Sequence, residues 1–166
     1  TEKAIDFIEE NAQKNTPFYL QLSHYAIHSN LMMTNKSYEK YSKKEKGKIH
    51  NNIGLAAMTE NLDHSVGLII KKLKELGIEN NTYIIYSSDN GSVPIIVPRR
   101  YYQQSYNYPL SRGKWDAMEG GIRVPMIICG PNIEPNSYSA TNISFSDLLP
   151  TIIDIISSKK IKDKSL

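Results

Sequence analysis

The sequence predicts an α/β fold, a β-sheet with helices on both faces, and three observations carry that expectation. The strands "YIIY" (83–86) and "VPMIICG" (124–130) are continuously apolar rather than alternating, as strands covered on both faces are. From Ile53 to Leu76 one apolar stripe recurs at helical spacing. Along the chain the segments run helix, strand, helix, strand, strand, helix, the order of a layered α/β domain.

Each element has its own warrant. Residues 2–13 form a helix, because Ala4, Ile5, Ile8 and Ala12 fall on one side. Pro17 punctuates, and "FYLQLSHYAIH" (18–28) reads as a strand with a polar exit. In the long helix Leu55, Met58, Leu62, Val66, Ile69, Leu73 and Leu76 make the stripe. Gly77 follows where a left-handed cap favours glycine. The last helix starts near Ser146, with Asp147 in its first turn and Pro150 early enough to be tolerated. Its apolar residues are Leu148, Leu149, Ile152, Ile153 and Ile156. The stretch 91–113 is a long loop carrying Arg99, Arg100, Tyr101 and Tyr102, which could meet an anionic sugar or simply lie on the surface.

Composition narrows the function classes. At 166 residues, 40% hydrophobic and 22% charged, the chain has ordinary globular composition and can build a core. A net charge of +3 gives no argument for nucleic acid. The basic runs at 43–48 and in the 158–166 tail read as solvated. No apolar run is long enough to span a membrane, and residues 1–15 lack the layout of a signal peptide. The single cysteine, Cys129, excludes an internal disulfide and a multi-cysteine metal site.

The chemistry concentrates at strand ends, where open α/β sheets collect ligands. "SSDNG" puts Asp89 and Asn90 just past the "YIIY" strand, a carboxylate oxygen beside an amide oxygen. Such a pair suits a hard cation, although Asp-Asn-Gly is equally the composition of a reverse turn. His24 and His28 lie in the polar exit of the 18–28 segment, and Arg112 and Lys114 lie in a glycine-containing loop before the third strand. A cation, an imidazole and an ammonium together would stabilise negative charge on a tetrahedral sulfur or phosphorus centre.

"PFYLQLSHYAIHS", "AAMTENLDHSVGLIIKKLKELGIENNTYIIYSSDNG", "NYPLSRGKWDAMEGGIRVPMIICGP" and "FSDLLPTIID" resemble four successive blocks of the type I sulfatases, in that family's order. The resemblance covers most of 17–156 and implies an alkaline-phosphatase-like mixed sheet. It implies hydrolysis of small-molecule or carbohydrate sulfate esters, with Asp89 and Asn90 on Ca²⁺ in preference to Mg²⁺. It also implies that His28 and Lys114 contact the sulfate, as catalytic and substrate-binding groups. Glu119 and Arg123 are expected to hold the loop by a buried ion pair or backbone contacts. His24 is expected at the rim, and Asp63 and His64 on a polar helix face.

The chain departs from the family at Arg112-Gly113, often two glycines, and at Ile27, often proline. The larger departure is an absence. The family's formylglycine block, whose modified Cys or Ser attacks sulfur, has no match; "CGPNI" at Cys129 has Ile133 where an arginine belongs, and a buried or half-buried thiol is expected there. The paired aspartates that finish the calcium site are missing too. Residues 1–166 are therefore expected to be one partial catalytic domain, inactive alone, with the formylglycine outside this segment. Its partner would be the remainder of that domain, and one sheet edge or face should be apolar and exposed. By resemblance the protein would be exported or lysosomal. Two alternatives stay open: a phosphodiesterase or phosphonate hydrolase of the same superfamily, and a catalytically silent homologue that binds an anion or a partner.

Overall fold

The computed structural model describes residues 1–48, 50–94 and 107–157. Arg99, Arg100, Tyr101 and Tyr102 and the 158–166 tail lie outside the described residues. The chain divides into two compact units, Thr1–Ile133 and Glu134–Leu166.

In the first unit, helix α1 (Glu2–Gln13) and helix α2 (Asn35–Ser42) both pack on α3 (Ile53–Glu75). Of the residues expected from periodicity, Ala4 and Ile8 of α1 and Met58 and Leu73 of α3 are buried, joined by Ala57, while the rest of the stripes is half-buried. Burying Ile8, Met58 or Leu73 contributes about 1.5–3 kcal/mol each. Phe7 meets Phe18 edge to face at 5.9 Å, fixing the segment after α1 against it. At the far end of α3, Gly77 takes φ +68°. That conformation lets Gly77 N–H reach the Lys74 carbonyl and Ile78 N–H reach the Leu73 carbonyl, both at 3.0 Å, the paired bonds of a Schellman cap.

Helix α2 has no counterpart in the apolar pattern, because it contains hardly an apolar residue. It is held by polar groups instead. Thr34 caps it by accepting from Ser37 N–H, and the Asn61 side chain, on α3, grips that cap from outside. Asn61 Oδ1 accepts from Thr34 N–H at 3.0 Å, and its Nδ2 donates to Ser37 Oγ at 2.8 Å. An ion pair between Lys40 and Glu60 closes the other end.

The sheet among the described residues is two-stranded and antiparallel. Strand β1 (Ile84–Ser87) pairs with β2 (Met126–Cys129), with Ile85 opposite Ile128 and Tyr86 opposite Ile127. The α/β class holds, but two details differ from expectation. Residues 18–28 join no ladder; their alternate apolar side chains are open, with Tyr19 67% exposed, so composition alone did not recruit a partner strand. Strand β2 is not covered on both faces. Its period of two sends Ile127 and Cys129 to one side, where both are exposed, and Met126 and Ile128 to the other. The expected buried or half-buried thiol is thus corrected to an exposed one, and Ile127 on the same side is 61% exposed. A four-residue helix, α4 (Glu119–Ile122), leads into β2.

In the second unit a short helical turn, Phe145–Asp147, precedes α5 (Leu148–Ile156). Asp147 accepts from Ser144 N–H at 2.7 Å, and Pro150 occupies the third position of α5, where no intrahelical donor is lost. Among the described residues, no helix is long and apolar enough to cross a membrane.

Candidate active site

The site is assembled by backbone contacts between the exit of β1 and the loop before β2. After Ser87, the chain turns through Ser88, whose hydroxyl donates to the Asn90 carbonyl at 2.9 Å. Asp89 is exposed and Asn90 half-buried. Gly91 N–H then donates to the Gly121 carbonyl at 2.8 Å. A Cβ on Gly91 would stand 1.8 Å from the Gly120 carbonyl oxygen. Glycine is required here for close approach of two backbones rather than for a sharp turn.

One residue further, the Ser92 carbonyl accepts from Lys114 N–H at 2.9 Å and from Asn107 Nδ2 at 2.8 Å. Asn107 also donates to the Arg112 carbonyl at 3.0 Å. The lysine loop is therefore clamped to the strand exit that carries Asp89 and Asn90. Neither Ser92 nor Asn107 has a spacing that marks it in the sequence. Their partners lie 22 and 15 residues away, and only the fold brings them together.

From that loop the ammonium of Lys114 reaches Nε2 of His28 at 3.1 Å. On the other side of the ring, Nδ1 lies 2.6 Å from the Ser29 carbonyl, which can only accept. The hydrogen-bond network thus assigns the proton to Nδ1, leaving the Nε2 lone pair for a donor from Lys114. The Tyr25 ring packs on the imidazole at 5.4 Å, and His28 N–H donates to the Tyr25 carbonyl at 2.8 Å. Lys114 is half-buried and His28 exposed, so the pair opens to solvent on the imidazole side.

The neighbouring groups sort differently. Arg112 pairs with Asp116 at 3.3 Å. Glu119 and Arg123 do form an ion pair at 3.4 Å, but their side chains are 59% and 67% exposed, which corrects the expected burial. Their backbones bond as well, Arg123 N–H to the Glu119 carbonyl at 2.9 Å. His24 is half-buried, and burial holds its pKa below the ordinary 6.5. Asp63 and His64 are both exposed on α3.

No group of three or more His, Cys, Asp or Glu suited to a metal occurs among the described residues. Asp89 and Asn90 nevertheless fit part of a hard-cation shell. Asn90 spends its amide N–H on the Gly91 carbonyl at 2.9 Å, so the amide oxygen is the atom it can offer beside the Asp89 carboxylate. Two residues supply only part of the six to eight oxygens that Ca²⁺ takes, about a third by ligand count.

With this fold and clamp in view, comparison with known proteins gives one family. The chain belongs to the sulfatases: the model of that family matches residues 1–158. It is 29% identical to N-acetylgalactosamine-6-sulfatase of Mus musculus, over 99% of this chain and 29% of that protein. Ps i-CgsB, solved in complex with k-i-k-neocarrahexaose, is 30% identical, with a TM-score of 0.65 over 79% of this chain and 27% of its own. The Bacteroides fragilis protein yidJ superposes with a TM-score of 0.73 over 93% of this chain and 35% of its own. At 23% identity that likeness is one of fold, and it agrees with the alkaline-phosphatase-like class. The chain spans less than a third of the length of the curated relatives it matches.

Proposed function

We propose that this chain forms the sulfate-binding side of the active site of a sulfuric ester hydrolase acting on sulfate monoesters. The observation that carries the proposal is the 3.1 Å contact between Lys114 Nζ and His28 Nε2, beside the clamped exit of β1. An ammonium has three donors. One goes to His28, and two remain for sulfate oxygens, where they neutralise the charge that grows as the ester bond breaks. Lys114 is also the group with a proton to give the leaving oxygen, and the adjacent imidazole can share that charge. His28 is held for this work by Ser29 and Tyr25, which fix its tautomer and ring.

Asp89 and Asn90 would contribute two ligands to a Ca²⁺ ion. When bound, the ion would supply Lewis-acid stabilisation of sulfate oxygens, and a formylglycine outside these residues would supply the nucleophile. The remainder of the catalytic domain is the proposed partner of the segment. The open Ile127–Cys129 face, and a length under a third of the relatives', both support this. Relatives named for acetylated hexosamine sulfates, and a neighbour solved with a carrageenan oligosaccharide, favour a sulfated carbohydrate as substrate.

The test compares an aryl sulfate with the matching aryl phosphate, using the enzyme that contains this chain. Faster turnover of the sulfate supports the proposal. Far faster turnover of the phosphate would replace it with the phosphohydrolase alternative.

A further inference from the structure

Trp115 follows Lys114 directly, is 81% exposed, and sits at φ +78°. Each fact is unfavourable taken alone. A bulky residue rarely adopts the left-handed region, which glycine or asparagine would occupy without strain. An indole in water also forgoes the burial that usually justifies tryptophan. Such a residue persists only where its surroundings over-determine the backbone, and outliers of this kind cluster at ligand-binding positions.

The surroundings here do over-determine it. On one side Lys114 N–H is tied to the Ser92 carbonyl at 2.9 Å, and on the other Asp116 N–H is tied to the Gly113 carbonyl at 3.1 Å. Asp116 is held in turn by the Arg112 guanidinium at 3.3 Å and by Met118 N–H at 3.2 Å. The clamp that aims Lys114 therefore also presents the indole. Neighbouring Cα atoms are about 3.8 Å apart, so the two side chains start within one sugar ring of each other. Two further exposed aromatics stand on the same framework: Tyr108, 49% exposed and next to Asn107, and Tyr25, 58% exposed and packed on His28.

We propose that Trp115 is a stacking platform for the sugar ring that carries the sulfate, making it a specificity-determining residue for sulfated carbohydrates. The inference rests on the sulfate-binding role of His28 and Lys114 proposed above. The ester oxygen holds the ring beside the sulfate, and the apolar C–H face of a pyranose matches the flat indole in the way aromatic-lined pockets hold ligands. Flexible alkyl groups lacking that face would gain less.

Trp115 is the only tryptophan of residues 1–166, so in the enzyme containing them the emission removed by Trp115→Phe reports the platform. The enzyme containing this chain is titrated with N-acetylgalactosamine 6-sulfate, with the unsulfated sugar, and with inorganic sulfate, following heat and the Trp115-dependent fluorescence together. The sulfated sugar should shift the emission to shorter wavelength and saturate, while inorganic sulfate binds without that shift. In Trp115→Ala the affinity for the sulfated sugar, relative to that for inorganic sulfate, should fall roughly ten-fold, and Trp115→Phe should recover most of it. Binding of the sulfated sugar with unchanged emission, or an unchanged affinity ratio in Trp115→Ala, overturns the platform but leaves the sulfate site standing. Binding of neither sulfate nor sulfated sugar overturns both.

Discussion

Lys114 and His28 are separated by 86 positions in the chain, yet the lysine ammonium lies 3.1 Å from the imidazole Nε2. One hydrogen bond joins them, so their substitutions should not add. In the enzyme containing this chain, His28→Ala and Lys114→Ala should each lower turnover. The double variant should lose less than the product of the two losses, by a coupling of about 0.5–3 kcal/mol. A full double-mutant cycle with an aryl sulfate measures it, and strict additivity would show that the two act separately.

The cation role of Asp89 has a readout apart from activity. An ion that binds the folded enzyme alone raises stability by about 2.7 kcal/mol at a hundred-fold excess over its Kd. Added Ca²⁺ should therefore raise the Tm of the enzyme, and Asp89→Ala should abolish or greatly reduce that rise. An equal rise in both proteins would remove Asp89 from the metal shell.

At Gly91 the constraint is room. A methyl group would meet the Gly120 carbonyl oxygen at 1.8 Å and its carbon at 2.7 Å, both backbone atoms that cannot rotate away. Gly91→Ala should destabilise the protein by about 1–3 kcal/mol or more, as overpacking does, and pull the lysine loop off the strand exit. A urea midpoint equal to that of the parent protein would contradict the close approach.

His24 gives a pH dependence of defined sign. Burial lowers its folded pKa below the ordinary 6.5. The unfolded chain then binds the proton more readily than the folded one. The His24 contribution is fully present above pH 6.5 and is lost as pH falls through the depressed folded value. Denaturant unfolding at a series of pH values should show stability declining as pH falls from 6.5 to the depressed folded value and levelling below it, and His24→Gln should flatten the decline. A parent protein whose stability held or rose on acidification through this window would reverse the sign.

Sequence patterns resolved the parts of the molecule that depend on apolar periodicity. The α1 and α3 stripes gave Ile8, Met58 and Leu73 as core, and Gly77 marked its cap before any coordinates. They failed where stabilisation is polar or non-local. Helix α2 is organised by Thr34 and by Asn61 from another helix, and no hydrophobic pattern records that. Residues 18–28 have strand composition, but pairing needs a neighbour, and none is bonded to them among the described residues. Cys129 was misjudged because a continuous apolar run says nothing about which face is covered; period-two geometry puts it beside exposed Ile127.

The site divides along the same line. The quoted blocks identified His28, Lys114, Asp89 and Asn90 as chemical candidates. The residues that aim the lysine carry no sequence mark: Ser92 acts through its own carbonyl, which accepts from Lys114 N–H and from the Asn107 side chain, and Asn107 also donates to the Arg112 carbonyl. Trp115 lies in a quoted block, but its exposure and positive φ exist only in the folded chain.

The most direct measurement is the turnover of an aryl sulfate by Lys114→Ala in the enzyme containing this chain, with circular dichroism alongside. Loss of a donor aimed at developing charge should lower turnover by about 10²–10³-fold while the folded signal is retained. Turnover equal to that of the unsubstituted enzyme would mean that Lys114 has no part in breaking the ester.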